Sequence, residues 1–110
     1  MSDPTEAADA AWQDAGAADL ALSALQCRSV GTARVLVVRD GAGSYFAVSP
    51  ECSHAALPLE GGRVRGSAIL CPHHGARFDL RTGRHLGPPA WTGIASWPVR
   101  VVADRVEVLL

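Results

Sequence analysis

The hydrophobic positions of this chain fall in short bursts. Apolar residues, mostly β-branched or aromatic, cluster at 35–38, 45–48, 68–70, 99–102 and 106–109, which are strand lengths rather than helix lengths. Turn-forming residues separate them at close intervals: Asp40-Gly41, Gly61-Gly62, Arg81-Thr82-Gly83, Gly87-Pro88-Pro89 and Ala103-Asp104. Short strands punctuated in this way predict an all-β, antiparallel sandwich or barrel. The one helix expected lies in the alanine-rich stretch before Leu25, where Gly16 weakens it. Residues 1–11, rich in Ala, Asp and Glu with an early Pro4, read as a frayed terminus, so that folding begins at Trp12.

Size and composition narrow the class. A chain of 110 residues predicts a single domain, 1–110, because two halves would be too small to bury adequate cores. With 48% hydrophobic and 19% charged residues it fits a soluble globular protein. Its longest aliphatic run, 35–38, is far short of the roughly 20 residues that cross a membrane as a helix, and no basic-then-apolar secretory signal opens the chain. The expectation is a cytoplasmic protein with no membrane partner.

The net charge of −1 conceals an asymmetry. The first 27 residues hold five acids and no Arg or Lys, whereas the remainder holds ten arginines against six acids. Arg63, Arg65, Arg77, Arg81 and Arg84 all lie between Cys52 and Ala90, where they surround any site with positive potential. Five arginines spread over loops, with Phe78 and Trp91 as the accompanying aromatics, lack the density of a nucleic-acid stacking groove. No nucleic-acid partner is expected.

Three cysteines at uneven spacing do not make a disulfide framework, and in a reducing compartment a Cys/His cluster points to metal or redox chemistry. Cys52-Ser-His54 and Cys71-Pro-His73-His74 form two compact hooks, C-x-H and C-x-x-H, separated by sixteen residues. Each is followed by Pro or Gly, so both sit on loops able to converge within about 50–90. Two thiolates and two imidazoles suit either a tetrahedral zinc or a [2Fe–2S] centre in which two His replace two Cys on one iron. Spacing leaves both open.

The two hooks resemble the Rieske proteins, ligand for ligand. Gly75, Phe78-Asp79 and Thr82-Gly83 continue as in Rieske ferredoxins, and Gly87-Pro88-Pro89 is similar to the proline loop that covers the cluster there. The likeness runs from Trp12 to Leu110. It implies a Rieske-like antiparallel β-sandwich with a small cluster-binding subdomain formed by two loops, and one [2Fe–2S] cluster per chain on Cys52, His54, Cys71 and His74. Cys52 and Cys71 then hold the buried iron and His54 and His74 the outer one. An added electron settles on the His-ligated iron, which carries less ligand charge, while Leu57, Pro58, Phe78 and the Pro88-Pro89 pair keep water off the sulfides.

Departures from the family are informative. Respiratory Rieske proteins join the two loops by a disulfide at positions held here by Leu57 and His73, and place Ser and Tyr hydroxyls near the cluster sulfurs where this chain has Ala76 and Phe78. Losing those donors lowers the potential, because hydrogen bonds to sulfur favour the reduced state. Outside the hooks, His73 reads as a solvent-facing residue, His85 as an exposed strand residue, Cys27 as a buried small apolar residue, and Trp91 and Trp97 as packing residues.

The resemblance implies a low-potential ferredoxin that carries single electrons from a flavin-dependent reductase to a terminal non-haem iron oxygenase of an aromatic-ring dioxygenase system. It is not itself a catalyst, since after ligation only His73 and His85 remain for a mononuclear iron. A rival with the same cluster is the small subunit of a nitrite reductase complex. A rival of another class is a zinc-stabilised binding module.

Overall fold

The computed structural model describes residues 12–53, 57–73, 75–88, 90 and 92–110. The expected frayed terminus, His54, His74, Pro89 and Trp91 lie outside them. Ten strands are described: β1 (Trp12–Ala17), β2 (Leu25–Val30), β3 (Ala33–Arg39), β4 (Tyr45–Val48), β5 (Arg63–Arg65), β6 (Ala68–Leu70), β7 (Arg77–Asp79), β8 (Ser96–Trp97), β9 (Val99–Val102) and β10 (Arg105–Leu109). They pair antiparallel in three sheets, ordered β1-β10-β9, β2-β3-β4-β8 and β5-β6-β7. The fold is all-β.

The continuous apolar run at 35–38 is explained by its place in the middle sheet, which is covered on both faces. Val35 and Val37 pack with Ala47 against Ala15, Val106 and Val108 of the first sheet, making a sandwich core. Leu36, Val38 and Val48 face the other way, onto Leu59, Ile69, Phe78 and Leu80 of the small third sheet and its loops. Side chains alternate across a strand, so one four-residue run supplies two cores.

In its described part, 12–24, the alanine-rich stretch before Leu25 is not helical. Trp12–Ala17 is a strand because it pairs along the edge of β10, which sets Ala15 beside Val106 and Val108 on the face that meets the middle sheet. The register slips between Asp14 and Ala17, where Gly16 takes φ +97°, a conformation that favours glycine. Arg28 fills the bulge, its Nη1 donating to the carbonyls of Ala15 and Ala17 at 2.9 and 2.7 Å. Tertiary pairing thus overrides the alanine signal.

Candidate metal centre

Two hairpins present the cysteines, and both close by the same bond. The first leaves β4, pairs Glu51 with Pro58 as an isolated bridge, and is closed by the Cys52 N–H donating to the Leu57 carbonyl at 2.8 Å. The second joins β6 to β7 and is closed by the Cys71 N–H donating to the Ala76 carbonyl at 2.7 Å, with the Gly75 N–H returning to the Cys71 carbonyl at 3.1 Å. In each hook the cysteine reaches the carbonyl five residues on. The two loops therefore share a closing bond as well as a ligand pattern.

A third segment flanks both. Its residue His85 bridges Phe78, the Leu86 N–H donates to the Arg77 carbonyl, and Arg77 Nη2 donates to the Leu86 carbonyl at 3.0 Å. Further on, the Ile94 N–H donates to the Gly83 carbonyl at 2.8 Å, which brings the returning chain against the Thr82-Gly83 turn. The Ser53 hydroxyl donates to the Thr92 carbonyl at 2.7 Å, tying this segment to the first hook.

Cys52 and Cys71 converge in one apolar core, 1% and 4% exposed, beside Leu59, Ala76, Phe78, Leu80 and Ala90. No disulfide joins either of them to another cysteine. Two buried thiols on matched hairpins, walled by hydrocarbon, are the sulfur half of the donor set expected above, and their chemistry fits an iron–sulfur centre. The imidazole half, His54 and His74, falls outside the described residues. Of the covering expected, Phe78 is fully buried beside the cysteines with Leu59, Ala76 and Ala90, Leu57 is half-buried, and Pro58 and Pro88 stand at the exposed surface of their loops.

The remaining candidates separate. His73 is exposed, as expected, whereas His85 is half-buried, because its bridge to Phe78 turns it toward the core side. Cys27 is half-buried rather than buried, and it is not simply apolar: Arg34 Nη2 donates to its sulfur at 3.1 Å. It borders a cavity of about 410 Å³ that runs along the outside of the first hook at Pro50, Glu51 and Pro58. Trp97 packs on the sandwich core, away from the cysteines. Ser53 and Thr92 are the pair that sequence reasoning missed; the only hint was a small hydroxyl between the two ligands of the first hook.

Residues 12–98 match the family described as the Rieske [2Fe-2S] domain. The chain belongs to this family. As a Rieske domain it carries one [2Fe–2S] cluster, which sets the zinc-stabilised module aside. The anthranilate 1,2-dioxygenase ferredoxin subunit of Burkholderia cepacia is 33% identical over 105 residues, 94% of this Rieske chain and 96% of that protein. Among solved structures, the ferredoxin of carbazole 1,9a-dioxygenase from Nocardioides aromaticivorans IC177 is 34% identical with a TM-score of 0.77, covering 87% of this chain and 93% of that one. A chain in the complex of reduced oxygenase and oxidized ferredoxin in carbazole 1,9a-dioxygenase is 29% identical with a TM-score of 0.79, covering 90% and 93%. Among the described residues of this Rieske chain, no helix is long and apolar enough to cross a membrane.

Proposed function

We propose that this Rieske chain is a ferredoxin that carries single electrons from a flavin-dependent reductase to the terminal non-haem iron oxygenase of an aromatic-ring dioxygenase system. The whole chain, 1–110, acts as one domain with its cluster on Cys52, His54, Cys71 and His74. The observation that carries the reading is the convergence of Cys52 and Cys71 in one apolar core on matched hooks, in a chain matching a dioxygenase ferredoxin subunit nearly end to end. The solved complex of a similar ferredoxin system supports the oxygenase as acceptor.

When bound, the cluster supplies a one-electron couple. The residues of the chain do the rest. Cys52 and Cys71 anchor the inner end, where Leu59, Ala76, Phe78 and Ala90 exclude water. His54 and His74 would hold the group as neutral ligands, which carry less negative charge than thiolates and so would favour an added electron on their side. Ala76 and Phe78 place a methyl and a phenyl group in that core where a hydroxyl could bond sulfur, so we assign a low potential. We place it in the cytoplasm, where a reducing medium keeps cysteine ligands as thiols.

The test is iron and acid-labile sulfide analysis with EPR of the dithionite-reduced protein, followed by stopped-flow transfer from reductase to ferredoxin to oxygenase. Two iron and two sulfide per chain, a rhombic signal, and oxidation of the ferredoxin by the oxygenase are expected. A protein that reduces a nitrite reductase but not an oxygenase would overturn the assignment of the system. Loss of the cluster in Cys52→Ala and Cys71→Ala, and a lowered potential in His74→Cys, check the ligand set.

A further inference from the structure

We propose that the outer face of the β5-β6-β7 sheet is the docking surface for an acidic patch on the terminal oxygenase; this rests on the function proposed above, which supplies that partner. The register of the sheet defines the face. Arg63, Leu70 and Arg77 stand in one row and Arg65, Ala68 and Asp79 in another, with Val64, Ile69 and Phe78 between them. The bridge between Phe78 and His85 extends these rows by Leu86 and Arg84 respectively. The middle row points into the core beside the cysteines, so the two flanking rows point outward together.

Burial agrees with that reading. Arg63, Arg65, Arg77 and Arg84 are all exposed, and Leu86 is 39% exposed between them, while Ile69 and Phe78 are fully buried. The result is four guanidinium groups around a small apolar centre. One carboxylate, Asp79, lies on the same face, and it is shared with Arg81 at 3.8 Å. With strands about 4.8 Å apart, a row of four residues spans about 14 Å, enough to meet a comparable patch on another protein. Apolar centres ringed by arginine are the usual make-up of a transient protein interface.

These arginines are available. Arg28, Arg34, Arg39, Arg81, Arg100 and Arg105 are each held by a carboxylate, sulfur, hydroxyl or carbonyl elsewhere in the chain. Arg77 keeps its charge uncompensated while bonding the Leu86 carbonyl. Among the described residues, the side chains of Arg63, Arg65 and Arg84 meet no such partner. The row of Arg63 and Arg77 is also the one nearest the site, because Leu70 immediately precedes Cys71 and Arg77 immediately follows Ala76. A partner held there sits beside the second hook. Attraction of this kind raises the rate of encounter and fades over about 8 Å at physiological salt.

The experiment uses the holoprotein. Arg63→Glu, Arg65→Glu and Arg84→Glu are made singly, their visible and EPR spectra checked against the wild type, and oxidation of each reduced ferredoxin by the oxygenase is followed by stopped flow at low ionic strength. Thr32→Glu with Ala33→Glu, in and beside the turn between β2 and β3, supplies the same change of net charge elsewhere. We expect at least Arg63→Glu to lower the second-order rate constant severalfold, the difference to vanish at high salt, and the control to match the wild type. Equal rates for all three variants, an equal slowing by the control, or slowing confined to reduction by the reductase would overturn this docking face. A wild-type protein with an intact cluster that the oxygenase does not oxidise would instead overturn the function beneath it.

Discussion

Ser53 donates its hydroxyl hydrogen to the carbonyl oxygen of Thr92 at 2.7 Å, across 39 positions of sequence. The bond lies one residue from Cys52 and pins the third segment of the site to the first hook. No covalent clamp is available at Leu57 and His73, so this contact and the Arg77–Leu86 pair hold the loops together from the two sides.

Ser53→Ala should therefore loosen the first hook. The expected cost is about 1 kcal/mol, the usual net worth of one such hydrogen bond. Bleaching of the visible spectrum on heating should begin a few degrees lower, and Ser53→Thr, which keeps the hydroxyl, should restore it. Equal bleaching of the alanine and wild-type proteins would remove Ser53 from this role.

Gly83 should tolerate no side chain. Its φ is +77°, and a Cβ built there would overlap the Ile94 carbonyl oxygen, a backbone atom of the residue whose N–H bonds the Gly83 carbonyl. Strain and clash together should cost roughly 2–4 kcal/mol in Gly83→Ala. Thermal scans of holoprotein should show a fall of many degrees.

Ala76→Ser and Phe78→Tyr should each raise the midpoint potential. Both side chains are fully buried in the core that holds Cys52 and Cys71, and each change offers a hydroxyl to a sulfur whose negative charge grows on reduction. The double variant should shift further than either single one. Voltammetry of variants with intact clusters and unchanged potentials would give the low potential another origin.

Asp14 lies on the opposite side of the molecule and reports on acid. The hydrogen bonds from Arg105, at 2.9 and 2.7 Å, hold its carboxyl below the usual carboxylate range, helped by the charge of Arg105 and by the Gly16 backbone. A depressed carboxyl stabilises the fold above its unfolded value and loses that contribution as pH falls through the folded one. The pair is exposed, so the effect on overall stability should be small. Carboxyl-detected NMR should place the Asp14 titration below that of a free carboxylate, and Arg105→Gln should return it upward.

Several parts of this architecture were legible in the sequence. The run at 35–38 announced a strand because all four residues are apolar, and the hooks announced themselves by ligand type and spacing. Short strands were harder: β5 and β7 are three residues each, with one inward side chain apiece, Val64 and Phe78, and arginine on the other face. β1 was misread because Ala, Asp and Gly carry no strand signal, and its pairing depends on β10 at the far end of the chain. Cys27 and His85 were misjudged for a similar reason, since Arg34 and Phe78 decide their surroundings. The Ser53–Thr92 contact joins distant segments by a single side-chain bond, which no local pattern encodes.

The two-faced middle sheet also bears on how the cofactor is loaded. The core around Val35, Val37, Val106 and Val108 contains no residue of either hook, so it can order before iron and sulfide arrive. A delivery protein would then meet a half-built sandwich with its far side already closed and only the Cys52 and Cys71 loops left to settle. Amide exchange on the apoprotein should show this directly, with β3 and β10 protected while β6 and β7 exchange freely.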